Sequence, residues 1–211
     1  MKQPKVIGIF LAAGKSRRMG RNKLTLPLAN TTLGSKSLRM ALSSRLDHII
    51  VVANPADNLQ WMNTTILEKP SAAKWSPVTC WEAGQGQAHS LQCGLAKAEE
   101  MGADAVVILL ADQPFLPVKV VDRLMEHFYN SLENTMQVNF IASSLYKVIQ
   151  PPILFSRSFF PQLMTIKGDE GARKLLQQQS SNTGVTLDYK DWRDFYDVDT
   201  EEDYRWIKEW S

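Results

Sequence analysis

From Ala12 to Lys23 the chain sets three residues with almost no side chain, Ala12, Ala13 and Gly14, ahead of five positive charges, Lys15, Arg17, Arg18, Arg21 and Lys23. Small residues let a ligand approach the backbone N–H groups themselves. An arginine offers a planar fork of donors matched to phosphate oxygens, and a lysine offers a compact charge suited to a leaving group. The chemistry within reach is therefore the gripping and neutralising of an anion, above all a phosphate. A basic loop that simply faces water has the same composition, and the run alone does not separate the two. Two common phosphate loops are excluded by spacing: Lys15-Ser16 follows Gly14, but the preceding glycine, Gly8, stands six positions before Gly14 where a Walker loop requires five, and no G-x-G-x-x-G occurs.

A second group that can do chemistry ends the apolar run "VVILLADQPFLP". There Asp112 stands where a buried strand would stop, as a cation-binding carboxylate or as a turn aspartate ahead of Gln-Pro. Mg²⁺ takes one or two carboxylates plus phosphate oxygens and water, so a sparse site suffices. The segment "YDVDTEED" supplies two more carboxylates, Asp197 and Asp199, just before a residue able to cap a helix. Nucleophilic catalysis has little support, since no Ser-His or Cys-His pairing stands out among His48, His89 and His127. Cys80 and Cys93 fit no metal-ligand spacing and read as reduced thiols.

These groups need a scaffold that brings loop ends together. The 211 residues suit one domain, 1–211, and the 44% hydrophobic and 22% charged content is that of a globular chain. A net charge of +2 is too small to attract nucleic acid or a membrane surface generally, so the basic run calls for a small anion. No stretch approaches the length of a membrane span, and the apolar start runs into a glycine turn instead of a cleavage site, so a cytoplasmic protein is expected. Short β-branched runs alternate with helical periodicity, which predicts a single-domain α/β fold, a Rossmann-like, mostly parallel sheet with helices on both faces. Strands are expected at Val6–Leu11, His48–Ala53, Val78–Trp81, Ala105–Leu110 and Phe140–Ser144, an amphipathic helix over 117–130, and a helix capped by Thr200 running to Trp210. The stretch 146–184 reads as a substrate-covering insertion, because "QPPILF" cannot be a central strand at its prolines. In such sheets ligands collect beyond the C-terminal strand ends, where the Ala12–Lys23 loop and Asp112 should both emerge.

With these residues in view, "LAAGKSRRMGRNK" resembles the L-A-A/G-G-x-S-x-R-M-G-x-x-K signature of the nucleotidyltransferases that attach a nucleotide to the molybdenum cofactor. Leu11, Ala12, Ala13, Gly14, Ser16, Arg18, Met19, Gly20 and Lys23 all match. The A-A-G form is similar to the cytidylyltransferase branch. The resemblance implies a fold of the nucleotide-diphospho-sugar transferase type and Mg²⁺-dependent transfer of CMP from CTP to the terminal phosphate of molybdopterin, with GTP or a sugar or polyol phosphate as alternatives. A non-catalytic cofactor carrier serving a recipient molybdoenzyme is the other-class alternative. The resemblance further implies catalytic roles for Arg18, Lys23 and Asp112, metal binding by Asp112 and Asp199 with Asp197 as the alternative, and nucleotide contacts at Gly86 and Ser90. From "KGDEGARKLL" it implies acceptor contacts at Asp169 and Arg173. It divides the domain into a nucleotide and metal part, 1–135, and an acceptor part, 140–190. Gln150 and Pro151 depart from the Gly and His/Asn that many relatives carry ahead of the "xLF" segment.

Overall fold

The computed structural model describes residues 3–169, 171–172, 175–176 and 184–210. The main sheet has seven strands in the order β5-β4-β1-β6-β8-β7-β9. These are β1 (Val6–Leu11), β4 (His48–Ala53), β5 (Trp75–Thr79), β6 (Ala105–Leu110), β7 (Phe140–Leu145), β8 (Val148–Ser156) and β9 (Gly184–Tyr189), while β2 (Pro27–Leu28) and β3 (Thr31–Thr32) form a separate small hairpin. All neighbours in the main sheet pair in parallel except β8, which is antiparallel to both β6 and β7.

Strand residues alternate between two cores. Val6 and Phe10 of β1 and Val107 and Leu109 of β6 face one side, packed with α1 (Leu33–Ser43), Ile66 of the short α2 (Thr64–Leu67), α4 (Val118–Glu133) and the C-terminal helix. Ile7 and Ile9 with Val106 and Ile108 face the other, under Leu91 and Leu95 of α3 (Gln87–Glu100) and Leu163 of the short α5 (Phe160–Leu163). Each fully buried aliphatic side chain of this kind contributes about 1.5–3 kcal/mol. On α4, Val120, Val121, Leu124, Met125 and Phe128 form the buried stripe that the helical spacing predicts, with Pro117 as N-cap. Gly94 lets α3 lie close on the sheet: a Cβ there would come within 2.4 Å of the Ile9 Cγ2.

Three elements differ from the sequence expectation. The edge strand is Trp75–Thr79, shifted from 78–81, and Trp81 instead opens a 3₁₀ turn. The C-terminal helix, α6, runs Glu201–Lys208 and stops short of Trp210. Within the stretch 146–184, Val148–Ser156 forms β8, an interior strand, and not part of a covering insertion. The prolines are accommodated because β6 pairs only with Ile153–Ser156, and the register against β7 jumps between Ala142 and Ser143, opposite Pro151 and Pro152. A missing N–H is harmless where the ladder is already interrupted.

Candidate active site

The parallel pairing of β1 with β6 sets Leu11 opposite Leu110, so the basic loop and Asp112 leave the sheet at one edge. The loop is held by its own backbone. Ala12 N donates to Val52 O at 2.9 Å, and Ser16, with φ of 46°, turns the chain so that its O accepts from Met19 N at 3.0 Å. Ser16 Oγ accepts from Lys23 N at 3.2 Å, while Met19 and Leu24 are buried in the core. The short turn starting at Lys23 is capped by Asn22, whose side chain accepts from Leu24 N.

This anchoring directs the Lys23 side chain, only 11% exposed, into the carboxylates: its Nζ lies 2.5 Å from Asp112 Oδ2 and 2.9 Å from Asp199 Oδ1. Arg18 Nη1 donates to the other Asp199 oxygen at 3.0 Å. The far carboxylates arrive because Val198, fully buried, donates its N–H to Asp112 O at 3.0 Å. Beyond them a capping box closes, with Thr200 accepting from Asp203 N and the Asp203 carboxylate accepting from Thr200 N. Burial opposes the Lys23 charge, but Asp112 and Asp199 outweigh it and raise its pKa above the ordinary value. Burial and the neighbouring Asp112 carboxylate push Asp197 up to about 7, against a lowering hydrogen bond from the Gln113 side chain. Asp197 sits deep among protein atoms, yet its surface opens on the cleft, where water screens it.

The opposite wall is neutral. Ala83, Gly84, Gly86, Gln87 and Ser90 line it, from the 3₁₀ turn Trp81–Gln85 into the first turn of α3. Gly86, at φ of 137°, is the N-cap of α3 and has no side chain to satisfy the helix N–H groups. The segment after α5 supplies one acceptor instead, with Ala88 N donating to Gly168 O at 3.0 Å, and the Gln92 side chain ties the same segment to the helix, its Nε2 donating to Met164 O and Ile166 O, each at 2.9 Å. A Cβ on Gly86 would stand 2.2 Å from Gly168 O, so the approach requires glycine. Ser90 is buried in that first turn and is not the cap.

Between floor and wall lies a cleft of about 540 Å³. Its lining brings together Leu11, Ala12, Ala13, Gly14, Ser16, Arg18, Lys23, Gly86, Ser90, Asp112, Asp169 and Asp199. Gly20 instead makes an exposed turn of the loop, with φ of 65°. Arg173 lies outside the described residues. The structure adds Gln87 and Gly84, for which no pattern in the chain gave a signal, and keeps Asp197 beside Asp199 within the cleft. The donor set suits a hard divalent cation: the carboxylates of Asp112, Asp197 and Asp199 line one side of the cleft and offer oxygen ligands, with Lys23 and Arg18 as the ion-pair partners of Asp112 and Asp199.

Comparison with known proteins bears on this geometry. Residues 8–183 match the model of the MobA-like NTP transferase domain. The chain is 46% identical over 209 residues, 99% of its own length and 98% of the other's, to the Purine catabolism protein PucB of Bacillus subtilis (strain 168). It is 32% identical over 121 residues, 57% of each chain, to the Molybdenum cofactor guanylyltransferase of Rhodobacter capsulatus. Among solved structures, that of Rv0371c from Mycobacterium tuberculosis H37Rv superposes with a TM-score of 0.75 at 25% identity, over 97% of this chain and 98% of that one. A nucleotidyl transferase from Methanothermobacter thermautotroptrophicus shares the fold, with a TM-score of 0.74 at 18% identity over 97% of this chain and 96% of that one. The small-residue loop, the strand-end carboxylate and a match covering most of the chain agree, and this chain belongs to the MobA-like nucleotidyltransferases.

Proposed function

We propose that this chain transfers CMP from CTP to the terminal phosphate of the molybdenum cofactor, releasing pyrophosphate with the help of Mg²⁺, and that it acts in the cytoplasm. The observation that carries the reading is the convergence of the phosphate-type loop with the strand-end carboxylate Asp112 and the carboxylate Asp199 ahead of α6 on one lysine, Lys23. The resemblance to proteins acting on the molybdenum cofactor supports the acceptor, and the purine-catabolism relative supports a recipient of the xanthine-dehydrogenase type. The Ala12-Ala13-Gly14 form supports CTP by resemblance.

The acceptor's phosphate monoester has a second pKa near ~6, so its attacking oxygen is largely ionised at neutral pH and no base is required. This accords with a cleft rich in Lys, Arg and Asp. What the chain must overcome is the repulsion of two anions and the charge growing on departing pyrophosphate. Backbone N–H groups beside Ala12 to Gly14 would position the triphosphate, and Arg18 and Lys23 would neutralise it. Asp112 and Asp199, with Asp197 behind them, would hold Mg²⁺, which when bound supplies further charge neutralisation on the phosphates. Lys23 then serves two roles by one geometry: it balances the carboxylates and lies near enough to turn to a phosphate.

The second reading is GTP, favoured by the guanylyltransferase relative. Incubating the protein with molybdenum cofactor, Mg²⁺ and either nucleotide, with pyrophosphate and the nucleotide-bearing cofactor measured by mass spectrometry, decides. Product with CTP alone is expected. Product with GTP alone replaces the nucleotide, and tight binding of the cofactor with no product from either overturns catalysis in favour of a carrier.

A further inference from the structure

Beneath the neutral wall lies a group of side chains that the transfer chemistry does not use. Cys80 follows the end of β5, Glu82 sits in the 3₁₀ turn Trp81–Gln85, and Cys93 lies in the second turn of α3. The chain folds this segment back on itself, so that the two sulfurs and a Glu82 carboxylate oxygen all lie within 4.8 Å of one another. Tetrahedral Zn²⁺ binds sulfur at about 2.3 Å and carboxylate oxygen at about 2.0–2.2 Å, which sets its ligand atoms nearly 4 Å apart. A contraction of about 1 Å therefore closes the three atoms on one ion.

The scaffold already fixes one corner. Cys80 is fully buried, its N donates to Ala53 O at 2.9 Å, and its Sγ donates to His89 O at 3.4 Å. The other two corners give a way in, since Glu82 is exposed and Cys93 is half-buried. Uptake of a metal there would displace the thiol protons. Two thiolates also discriminate: they favour a soft or borderline ion over Mg²⁺, whereas the Asp112 group, all oxygen, does the reverse.

We propose that Cys80, Glu82 and Cys93 form a site for a thiophilic divalent cation of the Zn²⁺ class, with three protein ligands and one open position, distinct from the carboxylate site across the cleft. An ion there would tie together the end of β5, the 3₁₀ turn and α3, the pieces that carry Ala83, Gly84, Gly86 and Ser90 into the cleft. It would stiffen the wall without touching the reacting phosphates.

Co²⁺ is the probe, added to the full chain kept reduced with a non-thiol reductant. Expected are a thiolate-to-Co²⁺ charge-transfer absorption that saturates at one equivalent and is displaced by Zn²⁺, with proton release on uptake and slowed iodoacetamide alkylation of Cys93. Cys93→Ser, at a half-buried helix position whose folding is checked by circular dichroism, is expected to abolish the absorption. Glu82→Gln is expected to weaken it, and Asp112→Asn to leave it unchanged. Absence of the thiolate absorption in the reduced parent, its survival in Cys93→Ser, or its loss in Asp112→Asn overturns the proposal.

Discussion

The two sides of the cleft are built on opposite principles. The floor is charge held by charge: Lys23 bridges Asp112 and Asp199, Arg18 holds the other Asp199 oxygen, and Asp197 stands behind them. The wall is backbone held by backbone: glycines, a helix N-terminus without a side-chain cap, and the carbonyl of Gly168 closing over it. Charged groups can be lost or gained with protons and ions, so the floor is where activity should respond to pH, metal and charge substitution. Backbone contacts leave no room for a side chain, so the wall should respond to volume.

Substitutions on the floor should break the contrast first. Asp112→Ala is expected to abolish Mg²⁺-dependent pyrophosphate release, because it removes a metal ligand and leaves Lys23 with Asp199 alone. Lys23→Ala is expected to lower turnover by about 10²-fold or more, the scale of losing one preorganised charge-stabilising donor. Full activity in either variant would remove the floor from catalysis.

Gly86→Ala tests the wall. The φ of 137° and the 2.2 Å approach to Gly168 O force the segment apart. A loss of about 1–3 kcal/mol in stability is expected from urea unfolding, with weaker nucleotide binding. An unchanged midpoint and affinity would show that the wall yields easily.

Asp197 sharpens the comparison through pH. Its carboxyl is pushed up to about 7, mainly by burial and by Asp112, from an ordinary value of 3.8. Between those values the folded state binds more protons than the unfolded one, so stability falls as pH rises through that window. Urea midpoints at pH 5 and pH 8 should show a smaller drop for Asp197→Asn than for the parent chain; an equal drop would mean that cleft water screens the group fully. The smallest effect is expected from His89→Ala, since His89 meets Cys80 through its backbone O and Gly86 through its backbone N, contacts that alanine keeps. A large loss of turnover there would restore a histidine acid to the mechanism.

The floor was far more legible than the wall. Strands β1, β4 and β6 lie where their β-branched runs place them, because parallel strands buried on both faces must be continuously apolar and so announce themselves. The charged loop and Asp112 stand at the ends of two of those strands. Strand β8 was hidden by Pro151 and Pro152, whose cost vanishes only because the ladder is broken opposite them. Gln87 and Gly84 carry no pattern at all, and their place depends on how α3 meets the 3₁₀ turn.

Local physics therefore determined the sheet's central strands, the phosphate-type loop and the candidate metal carboxylate, since burial, glycine freedom and charge act over a few neighbouring residues. Tertiary structure alone decided that Val198 would hydrogen-bond Asp112 and deliver Asp199 to Lys23, and that Gly168 would close on Ala88. The same is true of the meeting of Cys80, Glu82 and Cys93. Those meetings join segments whose separation along the chain bears no relation to their distance in space, and only packing of both helical layers on one sheet sets them.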